Sequence, residues 1–364
     1  MLDDIHKIDL RELSNIYDEN NRDVFVSLYL NVENLDKKFI EERAKACQSV
    51  LQDGLMKENF EKTMEWINDY IKEGMEEGQK GLIIFASYLK NFFTDYKLEM
   101  PLKNLLVVDS SPYIKPVAEL LDLYDEYGLV MINSNKARIY TVSGGKISYE
   151  KRIAEHVMNR HKKGGWSQAR FQRIRKGEIK HFLKKVAEDV EKLDVRYLIL
   201  AGPGEAKKWL MDYLPKNVGE KVISLIDAKF GENVIPLSEE AVEEEREAEK
   251  KELVQNLVND ILKNELAVNG LRETIEALKN GQVEMLLIKK GFSIKGWKCE
   301  KCQIFDVGSV EKCPYCGNKT TGVDVIEEMV EFAERTDASI EFIDDEILSK
   351  IGGVAGFLRY KTKT

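Results

Sequence analysis

No run of about 18 apolar residues occurs in the chain, so no membrane-spanning helix is expected. The N-terminus, MLDDIHKIDLREL, lacks the basic-then-apolar layout of a secretory signal. Cysteine is scarce: there are five in 364 residues, and four of them fall between Cys299 and Cys316. A disulfide scaffold is therefore not expected. Internal repeats are lacking, and the only biased stretch is the acidic run that opens at 238. These absences point to a cytoplasmic chain of two or three domains that needs no membrane, and a monomer is expected.

Charge of one sign is short everywhere except in one place. The net charge is −9, which argues against a protein that coats nucleic acid. Residues 151–185, however, hold twelve Lys or Arg against only Glu155 and Glu178, a local +10 that leaves −19 for the rest. Such asymmetry predicts one local contact with a polyanion.

Apolar residues make up 43% of the chain, enough for ordinary cores. VFVSLYLNV (24–32), GLIIFAS (81–87) and LLVVD (105–109) read as strands. LRELSNIYDEN reads as a short helix, and 35–76 carries helical periodicity, with Cys47 as a small core residue. GLVMIN, ARIYTV and KISYEKRI form a meander with turns at Asn133-Ser134-Asn135 and Gly144-Gly145. A long basic helix over about 167–193, the strand RYLILAGPG, the helix EAKKWLMDYL and the strand VISLIDA follow. A charged helix covers 238–264. Then LRETIEALKNGQVEMLLIKKG reads helix, turn, strand, and VIEEMVEFAERTDASIEFID with GGVAGFLRY reads as a helix and two strands. The expected fold is α/β, in three domains of mixed layers: 1–123, 124–262 and 263–364. The last carries an inserted zinc ribbon at 297–319.

The ribbon rests on Cys299-x-x-Cys302 and Cys313-x-x-Cys316. Two such knuckles turn four thiolates toward one point, which suits a closed, tetrahedral and structural Zn2+. Iron, or a ribbon without metal, remains open. AGPGEAKK (201–208) follows a strand and opens a helix, where phosphates can bind. It matches neither GxxxxGK[ST] nor GxGxxG, and reads as a plain turn.

EHVMNRHKKGGWSQARFQRIRKGEIKHFLKKVAE is the most informative segment. Gly164 and Gly165 follow Arg160, His161, Lys162 and Lys163, and permit backbone geometries closed to other residues. Ser167 can cap a helix that carries Arg170, Arg173, Arg175, Lys176, Lys180, Lys184 and Lys185. Phe171, Ile174, Phe182 and Val186 can form its apolar stripe. A glycine tip on a cationic stalk suits a phosphate-lined tunnel, and Trp166 could stack on a base. A surface hairpin tip that binds RNA without chemistry is the competing reading. His156 and His161 do not fit HExxH, and read as surface or RNA-contacting residues.

KKGGWSQARFQRIR resembles the Gly-Gly-Gln loop of archaeal and eukaryotic class I peptide-chain release factors. Gly164, Gly165, Ser167, Arg170 and Phe171 match the family pattern. SSPYIKPVAELLDLYDEYGLVMINSNKARIYTV is similar to that family's entry into its middle domain. LILAGPGEAKKWL resembles its Gly-Pro-Gly turn, and CPYCG its archaeal zinc ribbon. The resemblance spans about 80–364. It implies ribosomal RNA and peptidyl-tRNA as partners, with a translational GTPase as a candidate for delivery. It also implies entry into the peptidyl-transferase centre and hydrolysis of the peptidyl-tRNA ester. Gly164, Gly165, Trp166 and Gln168 are then the catalytic tip. Arg160, Lys162, Lys163, Arg170, Arg173, Arg175 and Lys176 are the RNA contacts.

Two departures shape that expectation. Trp166 stands where the family has glutamine, and Gln168 lies two residues on, as in release-factor-like peptidyl-tRNA hydrolases of ribosome quality control, whose loops this one resembles. The first domain has neither Asn-Ile-Lys-Ser nor Tyr-x-Cys-x-x-x-Phe, the family's stop-codon-reading motifs. Rescue of stalled ribosomes or large subunits is therefore expected rather than codon-specific termination. The alternative is a non-catalytic, Pelota-like factor that binds ribosomes and recruits other proteins. An RNA-processing enzyme has no carboxylate cluster or histidine pair to support it.

Overall fold

The computed structural model describes residues 5, 8–35, 37–124, 126–155 and 166–361. The chain forms two compact units, one of Met1–Leu123 with Leu253–Thr364, the other of Tyr124–Glu252. Both are mixed α/β, and four sheets are present among the described residues.

The first unit opens with α1 (Leu10–Ser14), capped by the Asp9 carboxylate, which accepts from Glu12 N–H. β1 (Phe25–Asn31) follows, then α2 (Lys37–Val50) and α3 (Gly54–Lys72). The helical pattern over 35–76 breaks at Asp53, whose side chain accepts from Leu55 and Met56 N–H and so starts α3. β2 (Gly81–Ser87), β3 (Phe92–Leu98), β4 (Leu105–Asp109) and α4 (Lys115–Leu123) complete this segment. The sheet order is β3-β2-β1-β4, all antiparallel. Alternation divides β1 between two cores. Val26, Leu28 and Leu30 pack with Phe60, Met64 and Ile67 of α3. Tyr29 faces the opposite side with Ile83 and Phe85.

The second unit holds β5 (Tyr127–Ile132), β6 (Lys136–Ser143), β7 (Lys146–Ala154) and α5 (Trp166–Val190). β8 (Tyr197–Ala201), α6 (Ala206–Met211), α7 (Lys216–Gly219) and β9 (Val222–Ile226) follow. The expected meander β5-β6-β7 is antiparallel, while β8 and β9 add in parallel to give the order β7-β6-β5-β8-β9. Tyr127–Ile132 and Tyr197–Ala201 are buried throughout, as central strands covered on both faces must be.

α8 (Ile235–Leu262) leads back into the first unit. There β10 (Ala267–Asn269), α9 (Leu271–Lys279) and β11 (Val283–Lys289) come first. β12 (Lys295–Cys299), β13 (Ile304–Val307) and β14 (Thr321–Asp324) then form a separate small sheet carrying the cysteines. α10 (Val325–Arg335), β15 (Ser339–Ile343), α11 (Glu346–Lys350) and β16 (Val354–Leu358) end the chain. The main sheet of this segment is β10-β16-β11-β15, with β11 and β15 parallel. The cysteine-bearing sheet is thus inserted in the crossover that joins them. One continuous core holds Ile83, Phe85 and Ile114 together with Ile275, Met329, Val330 and Phe342.

Polar groups lock the same seam. The Glu327 carboxylate accepts from the N–H groups of Ile114 (2.6 Å) and Lys115 (2.9 Å). Ser111 Oγ donates to Glu331 (2.5 Å), and Lys115 Nζ reaches Phe292 O (2.6 Å) and Asp324 (3.1 Å). Lys298, on β12, is 1% exposed and lies 2.7 Å from Glu328 and 3.8 Å from Glu331. Its approach to Glu328 is an ion pair off the line of a hydrogen bond. Burial alone would lower the Lys298 pKa, but Glu328, Glu331, Glu300 and Asp109 around it raise it instead. Burial pushes the Glu328 carboxyl up to about 8 and Asp109 up to about 7. Asp109 keeps part of its surface in solvent, so Glu328 is the better buried of the two.

Candidate functional site

The C-terminal half of helix α5 packs on the core of its unit. Ile179, Phe182, Leu183, Val186, Ala187 and Val190 recur at helical spacing and are buried against β5, β6 and β8 residues such as Val130, Ile139 and Leu198. N-terminal to Ile179 the stripe stops. No described side chain from Arg170 to Glu178 is buried, on any face of the helix. From Arg170 to Glu178 that is nine residues, about 14 Å of helix at 1.5 Å per residue. Arg170, Arg173 and Lys176 are exposed on it and Arg175 half-exposed; Lys180, Lys184 and Lys185 continue the charge along the anchored part. Lys185 pairs with Glu155 at 2.8 Å.

Several sequence expectations land differently here. The helix begins at Trp166, so Ser167 sits inside its first turn instead of capping it. Ile174 is 38% exposed, so the apolar stripe that does run through Phe182 and Val186 does not reach it. The Trp166 and Gln168 backbones open α5. Their side chains, and that of Phe171, lie outside what is described, as do Arg160, Lys162, Lys163, Gly164, Gly165 and the histidines at 156 and 161.

The Gly-Pro-Gly turn after β8 is structural. Gly202 has φ +141°, and a Cβ there would lie 1.9 Å from the Ile132 carbonyl oxygen. Lys207, buried, folds back over the turn. Its ammonium donates to Gly202 O and Gly204 O at 2.9 Å each and pairs with Asp227. The buried cation of the turn is thereby spent on the turn's own carbonyls and on Asp227, and its neighbour Lys208 pairs with Glu205 at 3.2 Å.

The four cysteines of the two pairs come together. Their sulfurs all lie within 4.8 Å of one another, with Cys299–Cys316 at 3.5 Å and Cys302–Cys313 at 4.0 Å. A tetrahedral ion with bonds of about 2.3 Å has sulfur–sulfur edges of roughly 3.8 Å, so the donor set fits a metal of that size. Each knuckle closes the same way. Gln303 N–H donates to Cys299 O (2.8 Å), and Gly317 N–H to Cys313 O (2.9 Å). Both residues have positive φ, +52° and +76°. Glycine takes that geometry freely at 317, whereas Gln303 takes it at a cost of roughly 1–2 kcal/mol. Trp297 and Ile304 pack with Cys299, Cys302 and Cys313, while Cys316 is exposed.

Sequence reasoning missed the buried cluster of Lys298, Glu327, Glu328 and Glu331. Glutamates spaced one and three apart on a helix read as a solvated face, and their partners lie far away in the chain. Among the described residues no helix is long and apolar enough to cross a membrane.

Comparison with known proteins bears on the whole chain. Residues 112–250 match the family described as bacterial archaeo-eukaryotic release factor family 10, and residues 247–362 match eRF1 domain 3. The peptide chain release factor subunit 1 of Thermococcus onnurineus is 30% identical over 302 residues, covering 72% of each chain. That of Methanocaldococcus jannaschii is 26% identical over 391 residues, covering 92% of each. The crystal structure of the archaeal translation termination factor aRF1 aligns over 96% of each chain at 17% identity. Its TM-score is 0.28, too low to argue from. The matched domains and the 30% identical relative agree with the glycine-loop segment and the cysteine pairs, and the chain belongs to the archaeal and eukaryotic peptide chain release factor family.

Proposed function

We propose that the chain carries a glycine-tipped basic helix into the peptidyl-transferase centre and promotes hydrolysis of peptidyl-tRNA on stalled ribosomes or large subunits. What supports this reading is α5, whose described side chains from Arg170 to Glu178 are all unburied and mostly cationic or polar, over about 14 Å of a helix that follows Gly164 and Gly165 in the chain. Arg160, Lys162, Lys163, Arg170, Arg173, Arg175 and Lys176 bind ribosomal RNA phosphates. No side-chain nucleophile is needed. A backbone N–H near Trp166 stabilises the charge that develops on the ester oxygen, and the Gln168 amide orders or admits the attacking water. Cys299, Cys302, Cys313 and Cys316 hold a structural Zn2+, whose four thiolates leave no position for water. A translational GTPase delivers the protein, which acts as a cytoplasmic monomer with the domains 1–123, 124–262 and 263–364.

The test is release of a labelled nascent peptide from stalled ribosomes and from isolated large subunits. Gly165→Ala and Gln168→Ala should abolish release and leave ribosome binding nearly intact. Release at the wild-type rate by both variants overturns the catalytic assignment. Trp166, in place of the family glutamine, favours a second reading: the loop occupies the centre without chemistry, and the protein recruits other factors, as Pelota does. That reading predicts ribosome association and no release by the wild type.

A further inference from the structure

The tip of the cysteine-bearing sheet combines three features that the release reaction does not use. Tyr315, between Pro314 and Cys316, is 74% exposed. Lys312 and Lys319 stand directly opposite each other across an antiparallel bridge. Their side chains therefore leave the same face of the hairpin, an opposed pair of like charges that disfavours the fold unless a counter-charge is present. Lys301, on the first knuckle, is exposed as well. Among the described residues none of these three ammonium groups has an ion pair or a hydrogen bond. Some lysines elsewhere are paired, as Lys62 is with Glu58, Lys251 with Glu247 and Lys350 with Glu346. What sets the tip apart is the grouping: two lysines opposed across one bridge and a third on the neighbouring knuckle, in the same small sheet as an exposed aromatic ring.

The frame suits recognition. Both knuckles close on their own backbone, at Gln303 N–H and Gly317 N–H, and the sulfurs converge behind them. A ring presented on such a frame loses little freedom when it binds, so its contact area converts efficiently into affinity. Lysine with an exposed aromatic is the pairing that recognises unpaired nucleotides, the ring taking a base and the ammonium groups the phosphates. We propose that this tip is a second RNA contact, in which Tyr315 stacks on an unpaired base and Lys301, Lys312 and Lys319 bind the flanking phosphates. The proposal rests on the ribosome-directed reading above, and it involves the first unit where α5 belongs to the second.

The experiment measures binding to purified ribosomes across about 50–200 mM salt. Tyr315→Ala should weaken binding at least about fivefold, and Tyr315→Phe, which keeps the ring, should not. Lys312→Gln with Lys319→Gln should reduce the slope of log affinity against log salt by roughly 1.4 to 1.8. Bound metal should stay at the wild-type level, which separates lost contact from a collapsed knuckle. A photo-crosslinking side chain at position 315 should label ribosomal RNA. Wild-type affinity and slope in the combined Tyr315, Lys312 and Lys319 variant overturn the proposal. So do crosslinks confined to ribosomal proteins, which would mean an acidic protein surface as the partner. Gly165→Ala and Gln168→Ala leave this contact untouched, so failure of the release reading and failure of the tip contact appear in different variants.

Discussion

Replacing Lys298 by methionine tests how the cysteine-bearing sheet is fixed to α10. Lys298 is 1% exposed and its Nζ lies 2.7 Å from a Glu328 carboxylate that is 4% exposed, so solvent screens neither. Methionine fills about the same volume but leaves that carboxylate without its cation. Glu331 is less affected, because Arg335 (2.7 Å) and Ser111 (2.5 Å) still bond to it. Removing one partner of a buried ionised pair costs about 3–5 kcal/mol, a limit approached only where the Glu328 carboxyl is ionised, well above about pH 8. The pH dependence gives the argument a second handle. Burial holds the Glu328 carboxyl protonated up to about pH 8, against an ordinary value of 4.5. At this group the folded chain therefore binds one proton more than the unfolded chain across that window. Wild-type stability falls as pH rises through it, by on the order of 1 kcal/mol per unit. Above about pH 8 the wild-type carboxylate ionises beside Lys298, whereas the variant must stay protonated or bury a bare charge. The cost of Lys298→Met thus grows by on the order of 1 kcal/mol for each further pH unit. Hydrogen exchange at the amides of Val325–Arg335 reads these free energies locally. Lys298→Met with Glu328→Leu should recover most of the loss, since an apolar pair of similar volume replaces an ion pair well. A single variant whose cost does not grow as pH rises above about 8, or a double variant no better than the single, refutes the reasoning.

Two further outcomes follow from close contacts. Gly202→Ala must accommodate a Cβ that would lie 1.9 Å from the Ile132 carbonyl oxygen at φ +141°. It should cost about 3 kcal/mol or more in thermal unfolding of the second unit, with exchange in Val325–Arg335 unchanged; a melting temperature within error of the wild type would contradict it. Elemental analysis should find one zinc per chain, lost in Cys299→Ser together with the buried environment of Trp297, read from its fluorescence; metal-free wild-type protein with an intact fold would remove the zinc assignment.

What was legible in the sequence is what the chain encodes within a turn or a hairpin. VFVSLYL and GLIIFAS announce strands because a covered strand is a run of apolar β-formers. β3, FFTDYKL, escaped notice because it is half exposed along almost its whole length and mixes Asp and Lys into the pattern. The cysteine pairs and the +10 segment are likewise local, and both could be read directly. The buried charges were not legible. Glu327, Glu328 and Glu331 look like a wet helix face until Ile114, Lys115 and Lys298, up to 213 residues away in the chain, are brought against them.

That division follows from the physics of the two kinds of feature. A surface that meets RNA has to be exposed and charged, so it is written in neighbouring residues and survives inspection of one sequence. A seam that holds segments together has to be buried and satisfied, so its partners come from wherever the fold supplies them. Substitutions should separate along the same line. Changes at the exposed Tyr315, Lys312 or Lys319 touch groups that the core does not need, and should alter ribosome affinity with stability preserved. Changes at Lys298, Glu328 or Gly202 remove groups the core cannot replace. They should lower stability first, with any effect on ribosome binding following from the fraction of chains unfolded.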